Sequence, residues 1–196
     1  YIASERSDDP WISSHLELRN ADNDVLSGYG WIFPLADGTV NIGVGTLATD
    51  AHPADVNLRQ LLELYTEARR PEWALTGPVH SPWSALLPMG GAVSGVAGAN
   101  WVLIGDAAGC VNGEGIDYGL ETGRLAAELL VAGGDPLAWP GVLRDHYGYA
   151  FSIARRLAGL LTVPGLLPAA GPVGMRSRSL MKVALRLMGN LVTDED

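Results

Sequence analysis

The chain has 196 residues, is 47% hydrophobic and 18% charged, and carries a formal net charge of −9. That length allows one domain or two small ones, with enough apolar content for a real core. The acidic balance argues against a nucleic-acid partner, and a single cysteine, Cys110, excludes an internal disulfide framework and fits a reducing compartment.

Residues 11–46 read as β-rich. HLELR alternates around Leu16 and Leu18, and GYGWIF and TVNIGVG flank Ala36-Asp37-Gly38, a good hairpin turn. Tyr29 and Trp31 are two apart and share a strand face. Phe33 is assigned to the opposite face, in the core. Gly43-Val44-Gly45 with Ala48 is the nearest approach to a G-x-G-x-x-G fingerprint, but no helix follows at once, so it reads as a plain strand. From Asn57 to Arg70, Leu58, Leu61, Leu62 and Tyr65 share a helical face, and Pro71 is expected to end the helix. A further strand is expected over residues 79–88, leading to a Gly90-Gly91 turn.

Residues 101–124 carry the chemistry. An apolar run, Trp101 to Ile104, ends in Gly105-Asp106. A small-residue turn and Gly113-Glu114-Gly115 follow, then a helix over about residues 115–132 with Ile116, Leu120 and Ala127 on one apolar side. Gly133-Gly134 ends it. An acid at the end of a strand accepts hydrogen bonds from a sugar alcohol. Glycines admit a flat ligand, and a helix N-terminus favours negative charge. Glu114 needs no role beyond its charge at that helix start. Cys110 reads as a small apolar filler.

From Phe151 to Val192 there are six basic residues and no acidic one. The uncharged stretch from Leu157 to Met175 is long enough to span a bilayer, but Pro164, Pro168 and Pro172 argue against a simple spanning helix. From Ser179 on, Leu180, Val183, Ala184, Leu187, Met188 and Leu191 fall on one helical side, opposite Lys182, Arg186 and Asn190. An apolar arc with a basic polar face is the pattern of a helix lying in a membrane surface. His15, His52, His80 and His146 have no metal-ligand spacing, and no nucleophile-elbow motif is present.

GDAAG, then GEGI, with GYGWIFP at 28–34, VNIGVG at 40–45 and LPMGG at 87–91, resembles the geranylgeranyl reductase family of FAD-dependent oxidoreductases. The resemblance implies an α+β fold. It would be the C-terminal portion of a p-hydroxybenzoate hydroxylase-like FAD fold, with an antiparallel substrate-domain sheet, an FAD-domain strand and helix, and a helical tail. Residues 1–95 would form the partial substrate-binding domain, 96–134 the FAD segment, and 135–196 the helical, membrane-associated region. The half carrying G-x-G-x-x-G is expected outside this chain, which opens at Tyr1.

The resemblance further implies FAD contacts from Gly105, Asp106, Gly113, Gly115 and Ile116, and a substrate wall from Tyr29 and Trp31. It names no catalytic residue. Pro88, Gly90 and Gly91 would pack near the flavin. The implied activity is saturation of an isoprenoid double bond, in menaquinone or another polyprenyl substrate, with an unidentified electron donor. The enzyme would sit on the cytoplasmic membrane face. A flavin monooxygenase of the aromatic hydroxylase type and a non-catalytic lipid-binding module remain alternatives. Relatives carry a few more residues between the GDAAG turn and GEGI, so a chain discontinuity is expected between Asn112 and Gly113.

Overall fold

The computed structural model describes residues 1–112, 115–163 and 165–188. It is a mixed helix-and-sheet structure that divides into two compact units. The first comprises residues 1–85 and 158–172, and the second residues 86–157 and 173–196.

The first unit is built on an antiparallel sheet of order β2-β5-β6-β1-β7. Its strands are β1 (Ile2–Ser4), β2 (Ser13–His15), β5 (Gly28–Pro34), β6 (Thr39–Thr46) and β7 (Leu75–Thr76). A small ladder of β3 (Leu18–Arg19) and β4 (Val25–Leu26) forms a separate sheet whose Leu18 shares the same core. The β5–β6 hairpin forms as its sequence predicts, and its turn places Ala36 and Gly38 at positive φ. Ile2, Ile32, Val40 and Ile42 are buried on one face. Helix α1 (Leu58–Trp73) packs there through Leu61 and Tyr65, and Asn57 caps it by accepting from the Arg59 and Gln60 amides. The Tyr65 ring fills the space that a Cβ at Gly30 would need.

The helix does not stop at Pro71. It runs on to Trp73 and ends at Ala74 in the left-handed region. Trp73 is buried, its carbonyl accepts from Ser4 Oγ at 2.6 Å, and the Arg6 guanidinium lies 4.4 Å from its ring centroid. These contacts offset the amide that Pro71 lacks. The expected strand over residues 79–88 is also absent. Pro78, Pro82 and Pro88 remove ladder donors, and Trp83 and Leu86 stand 82% and 98% exposed.

In the second unit a two-stranded ladder, β8 (Ala97–Gly98) with β9 (Trp101–Val102), leads through extended Leu103 and Ile104 into a 3-10 turn, Gly105–Ala108. Helix α2 (Ile116–Val131) follows, and Gly133 at positive φ ends it as expected. Its buried stripe differs from the expected one. Tyr118, Thr122, Leu125 and Ala126 face the core, whereas Ile116 and Leu120 are largely exposed. The aromatic residues of α3 (Trp139–Leu161) draw the helix round: Tyr118 packs on Tyr147 and Phe151 at centroid distances of 5.5 and 5.6 Å. Trp139 Nε1 donates to the Leu103 carbonyl at 2.7 Å, tying α3 to the segment that enters the turn.

Helices α4 (Leu166–Arg176) and α5 (Arg178–Met188) complete the described chain. Among the described residues no helix is long and apolar enough to cross a membrane.

Candidate functional site

The turn after β9 is held from three directions. Gly105 has φ +53°, and a Cβ there would come within 3.2 Å of Gly119 Cα, so two glycines let the turn lie against α2. The Gly105 amide donates to Thr122 Oγ1 at 2.9 Å, and that hydroxyl donates to the Tyr118 carbonyl at 2.6 Å. The Cys110 amide closes back on the Gly105 carbonyl at 2.9 Å. Thr122 was not singled out from the sequence. Its signal was a hydroxyl residue on the glycine side of α2, one turn beyond Tyr118.

The second clamp is the Gly90-Gly91 turn. The Gly90 amide donates to the Val111 carbonyl at 2.9 Å and the Gly91 amide to the Gly109 carbonyl at 2.8 Å. The Arg155 guanidinium donates to the Gly90 carbonyl. LPMGG is therefore bonded directly to the loop that carries Asp106.

So framed, the Asp106 side chain is exposed, and no hydrogen bond to its carboxylate forms among the described residues. A Cβ at Gly115 would lie 3.0 Å from Asp106 Oδ1, so the carboxylate stands over the residue that opens α2. Ile116, the first residue of that helix, is 77% exposed. Gly113 and Glu114 lie outside the described residues, and so does the expected discontinuity after Asn112. Asn112 itself is buried. Its Nδ2 donates to the Tyr118 hydroxyl at 3.2 Å, while its Oδ1 has no partner among the described residues.

Cys110 is 1% exposed, and burial pushes its thiol up to about 11. That suits a packing residue rather than a nucleophile. Burial likewise pushes Tyr118 up to about 12.

In the first unit, Tyr29 and Trp31 share the sheet face away from α1, as expected. Their ring centroids are 5.7 Å apart. Phe33 corrects the sequence reading. It stands on this same face, 6.3 Å from Trp31, because residues at i, i+2 and i+4 of a strand point one way. The opposite face of β5 belongs to Gly30 and Ile32. Trp31 lies over Gly43, its cross-strand partner, and its Nε1 donates to Asn41 Oδ1 at 2.8 Å. All three rings are half-buried. The result is a fixed, half-buried aromatic row along β5.

The chain is 63% identical over 202 residues to the menaquinone reductase of Mycolicibacterium smegmatis, covering 100% of this chain and 49% of that protein. It is 63% identical over 199 residues to the menaquinone reductase of Mycobacterium tuberculosis, again covering 100% of this chain and 49% of the relative. It is 35% identical over 110 residues to digeranylgeranylglycerophospholipid reductase 1 of Methanopyrus kandleri, covering 55% of this chain and 28% of that protein. The chain thus spans about half the length of the menaquinone reductases it matches. No family model and no solved structure matches it. Across its whole length the chain is a homologue of menaquinone reductases, and across part of it a more distant homologue of geranylgeranyl-type reductases.

Proposed function

We propose that this homologue of menaquinone reductases is part of an FAD-dependent enzyme that saturates one double bond of a menaquinone tail. The identity of 63% over the whole of this chain carries the reading. The half-buried aromatic row on β5 supports it from the side of the substrate.

The second unit suits FAD. Asp106 offers an exposed carboxylate, without a hydrogen bond among the described residues, beside the start of a 16-residue helix, where hydroxyls of a ribityl chain find an acceptor. Buried Asn112 Oδ1 has no donor among the described residues, and the pyrimidine edge of a flavin carries an N–H. Gly105, Gly113, Gly115 and Ile116 complete the assigned contacts. When bound and reduced, FAD supplies the hydride that an isolated alkene needs. On this basis the fold is the C-terminal portion of a p-hydroxybenzoate hydroxylase-like protein. Residues 1–95 supply the substrate sheet, 96–134 the flavin segment, and 135–196 the helical region that meets the cytoplasmic membrane face.

In the first unit Tyr29, Trp31 and Phe33 give a rigid apolar surface for a polyene. Trp31 is held by Asn41, so its indole is positioned before a substrate arrives. Apolar walls also exclude water from the alkene.

The test uses the full-length protein loaded with FAD, a chemical reductant and menaquinone. Mass spectrometry of the product is expected to show gain of two hydrogens in the tail. Incorporation of an oxygen atom would instead identify a monooxygenase. Stoichiometric binding of menaquinone without flavin or turnover would identify a lipid-binding module.

A further inference from the structure

The open end of the β5–β6 hairpin carries a cleft that the assignments above do not use. Its volume is about 410 Å³, within the range of small-molecule sites. It lies wholly in the first unit. Leu26, Leu47, Pro53 and Val56 give it apolar walls, and His52 and Thr162 give it polar ones.

The polar side is ordered. Thr162 Oγ1 donates its hydrogen to the Ala158 carbonyl at 2.9 Å. The same oxygen lies 3.3 Å from Thr49 Oγ1 and 3.5 Å from His52 Nδ1, where it can accept. Reciprocal backbone bonds between Thr49 and His52, at 3.0 and 3.1 Å, hold the histidine in a tight turn. Ser27 Oγ donates to the Leu161 carbonyl at 2.6 Å and fixes the other wall. A neutral His52 with its proton on Nδ1 presents Nε2 as an acceptor, and a protonated one presents a donor. Nε2 has no partner among the described residues.

We infer that this cleft binds the naphthoquinone ring of the substrate, with His52 Nε2 hydrogen-bonding a ring oxygen. This rests on the menaquinone-reductase reading and extends it to the head group. A fused ring needs flat apolar walls and one hydrogen-bonding group that serves both redox forms. His52 accepts from a quinol hydroxyl when neutral and donates to a quinone carbonyl when protonated. The placement follows from the hairpin. Thr46 of the cleft pairs with Gly28, and Ser27 precedes Tyr29 by two residues. Leu26 and Val56 of the cleft pack against the α1-side core, so the tail of a ring seated here rounds the end of β5 to reach the aromatic row on the other face. From Tyr29 to Phe33 the strand advances about 13 Å, room for the first isoprene units.

The experiment uses full-length protein loaded with FAD, as wild type, His52→Ala and Thr162→Val. Binding of tailless dimethyl naphthoquinone is measured by calorimetry. KM is measured for a short-tailed menaquinone and for a ring-free prenyl alcohol of equal tail length. Wild type is expected to bind the tailless ring, and each variant to weaken it about tenfold, as loss of one hydrogen bond does. KM for menaquinone should rise in parallel while KM for the prenyl alcohol stays unchanged. Absence of ring binding in wild type, unchanged ring binding in both variants, or an equal rise in both KM values overturns the assignment. If wild type binds the ring through His52 but reduces neither substrate, the reductase reading fails and the ring site stands. Thr162→Val keeps the side-chain volume, so it reports on the cleft should His52→Ala not fold.

Discussion

Trp31 occupies the space that a side chain at residue 43 would need: a Cβ added to Gly43 would collide with Cζ2 of the indole. The aromatic row therefore depends on a glycine in the neighbouring strand. Gly43→Ala should displace the indole, break its bond to Asn41 and cost about 1–3 kcal/mol from overpacking. Turnover of a long prenyl substrate should fall while FAD affinity holds. Equal turnover with an unchanged near-UV circular dichroism spectrum would show that Trp31 does not depend on Gly43.

Asp106 is exposed and no hydrogen bond to its carboxylate forms among the described residues, so its removal should leave the fold intact. Asp106→Ala in the full-length protein should weaken FAD binding by about 1–3 kcal/mol, the loss of a charge-assisted hydrogen bond. The melting temperature of the apoprotein should not move. Unchanged flavin affinity by fluorescence titration would remove Asp106 from the assignment.

Burial makes Cys110 and Tyr118 hold their protons above their ordinary values, to about 11 and about 12. In the unfolded chain the thiol ionises near pH 8.5 and the phenol near 10. The unfolded state then binds fewer protons, so stability is full below about pH 8.5 and falls as pH rises through the folded values. Denaturant midpoints measured from pH 7 to 10.5 should decline. Cys110→Ala should flatten the part of that decline that begins near 8.5. An identical slope in the variant would rule out the thiol as its source.

His15 runs the other way. Burial lowers its basicity first, with Arg69 adding to the effect and Glu72 opposing it. Its Nδ1 lies 2.6 Å from the Tyr65 hydroxyl. The unfolded chain takes up a proton near pH 6.5 that the folded chain resists, so this stability is present above about 6.5 and is lost on acidification. His15→Gln should reduce the loss between pH 7 and 5 in a denaturant series. A steeper loss in the variant would contradict the shift.

What the sequence revealed followed period and punctuation. The β5–β6 hairpin, α1, the Asp106 turn and the Gly133 stop were all legible, because each is set by local chemistry. The rest is set by tertiary contacts. Phe33 obeys the same two-residue period as Tyr29 and Trp31, so it joins their face and not the core. The end of α1 was misplaced because Trp73 has partners in Ser4 and Arg6, far off in sequence. The buried stripe of α2 was misjudged because Thr122 earns burial through hydrogen bonds to Gly105 and Tyr118, which no hydrophobic pattern reveals. The His52 cleft draws on residues from 25 to 162 and leaves no local motif.

The tail of the chain gives the last expectation. On α5, Leu180 and Val183 are 59% and 60% exposed, and Lys182 is exposed as well. Leu191 and Asn190 lie outside the described residues, as do the side chains of Ala184, Leu187 and Met188. Leucine and valine held in water on one helix, beside basic residues, suit an interface where both kinds of side chain are satisfied. A quinone with a long tail resides in the bilayer, so an enzyme acting on it gains from being there. Arg176, Arg178, Lys182 and Arg186 should contribute about 1 kcal/mol each at an anionic surface. Full-length protein should float with vesicles containing phosphatidylglycerol, less so as salt rises. Deletion of residues 176–196 should abolish flotation without removing FAD. Leu180→Glu with Val183→Glu should match the deletion, because each carboxylate opposes both insertion and the surface charge. Flotation that survives both changes would place membrane attachment elsewhere in the protein.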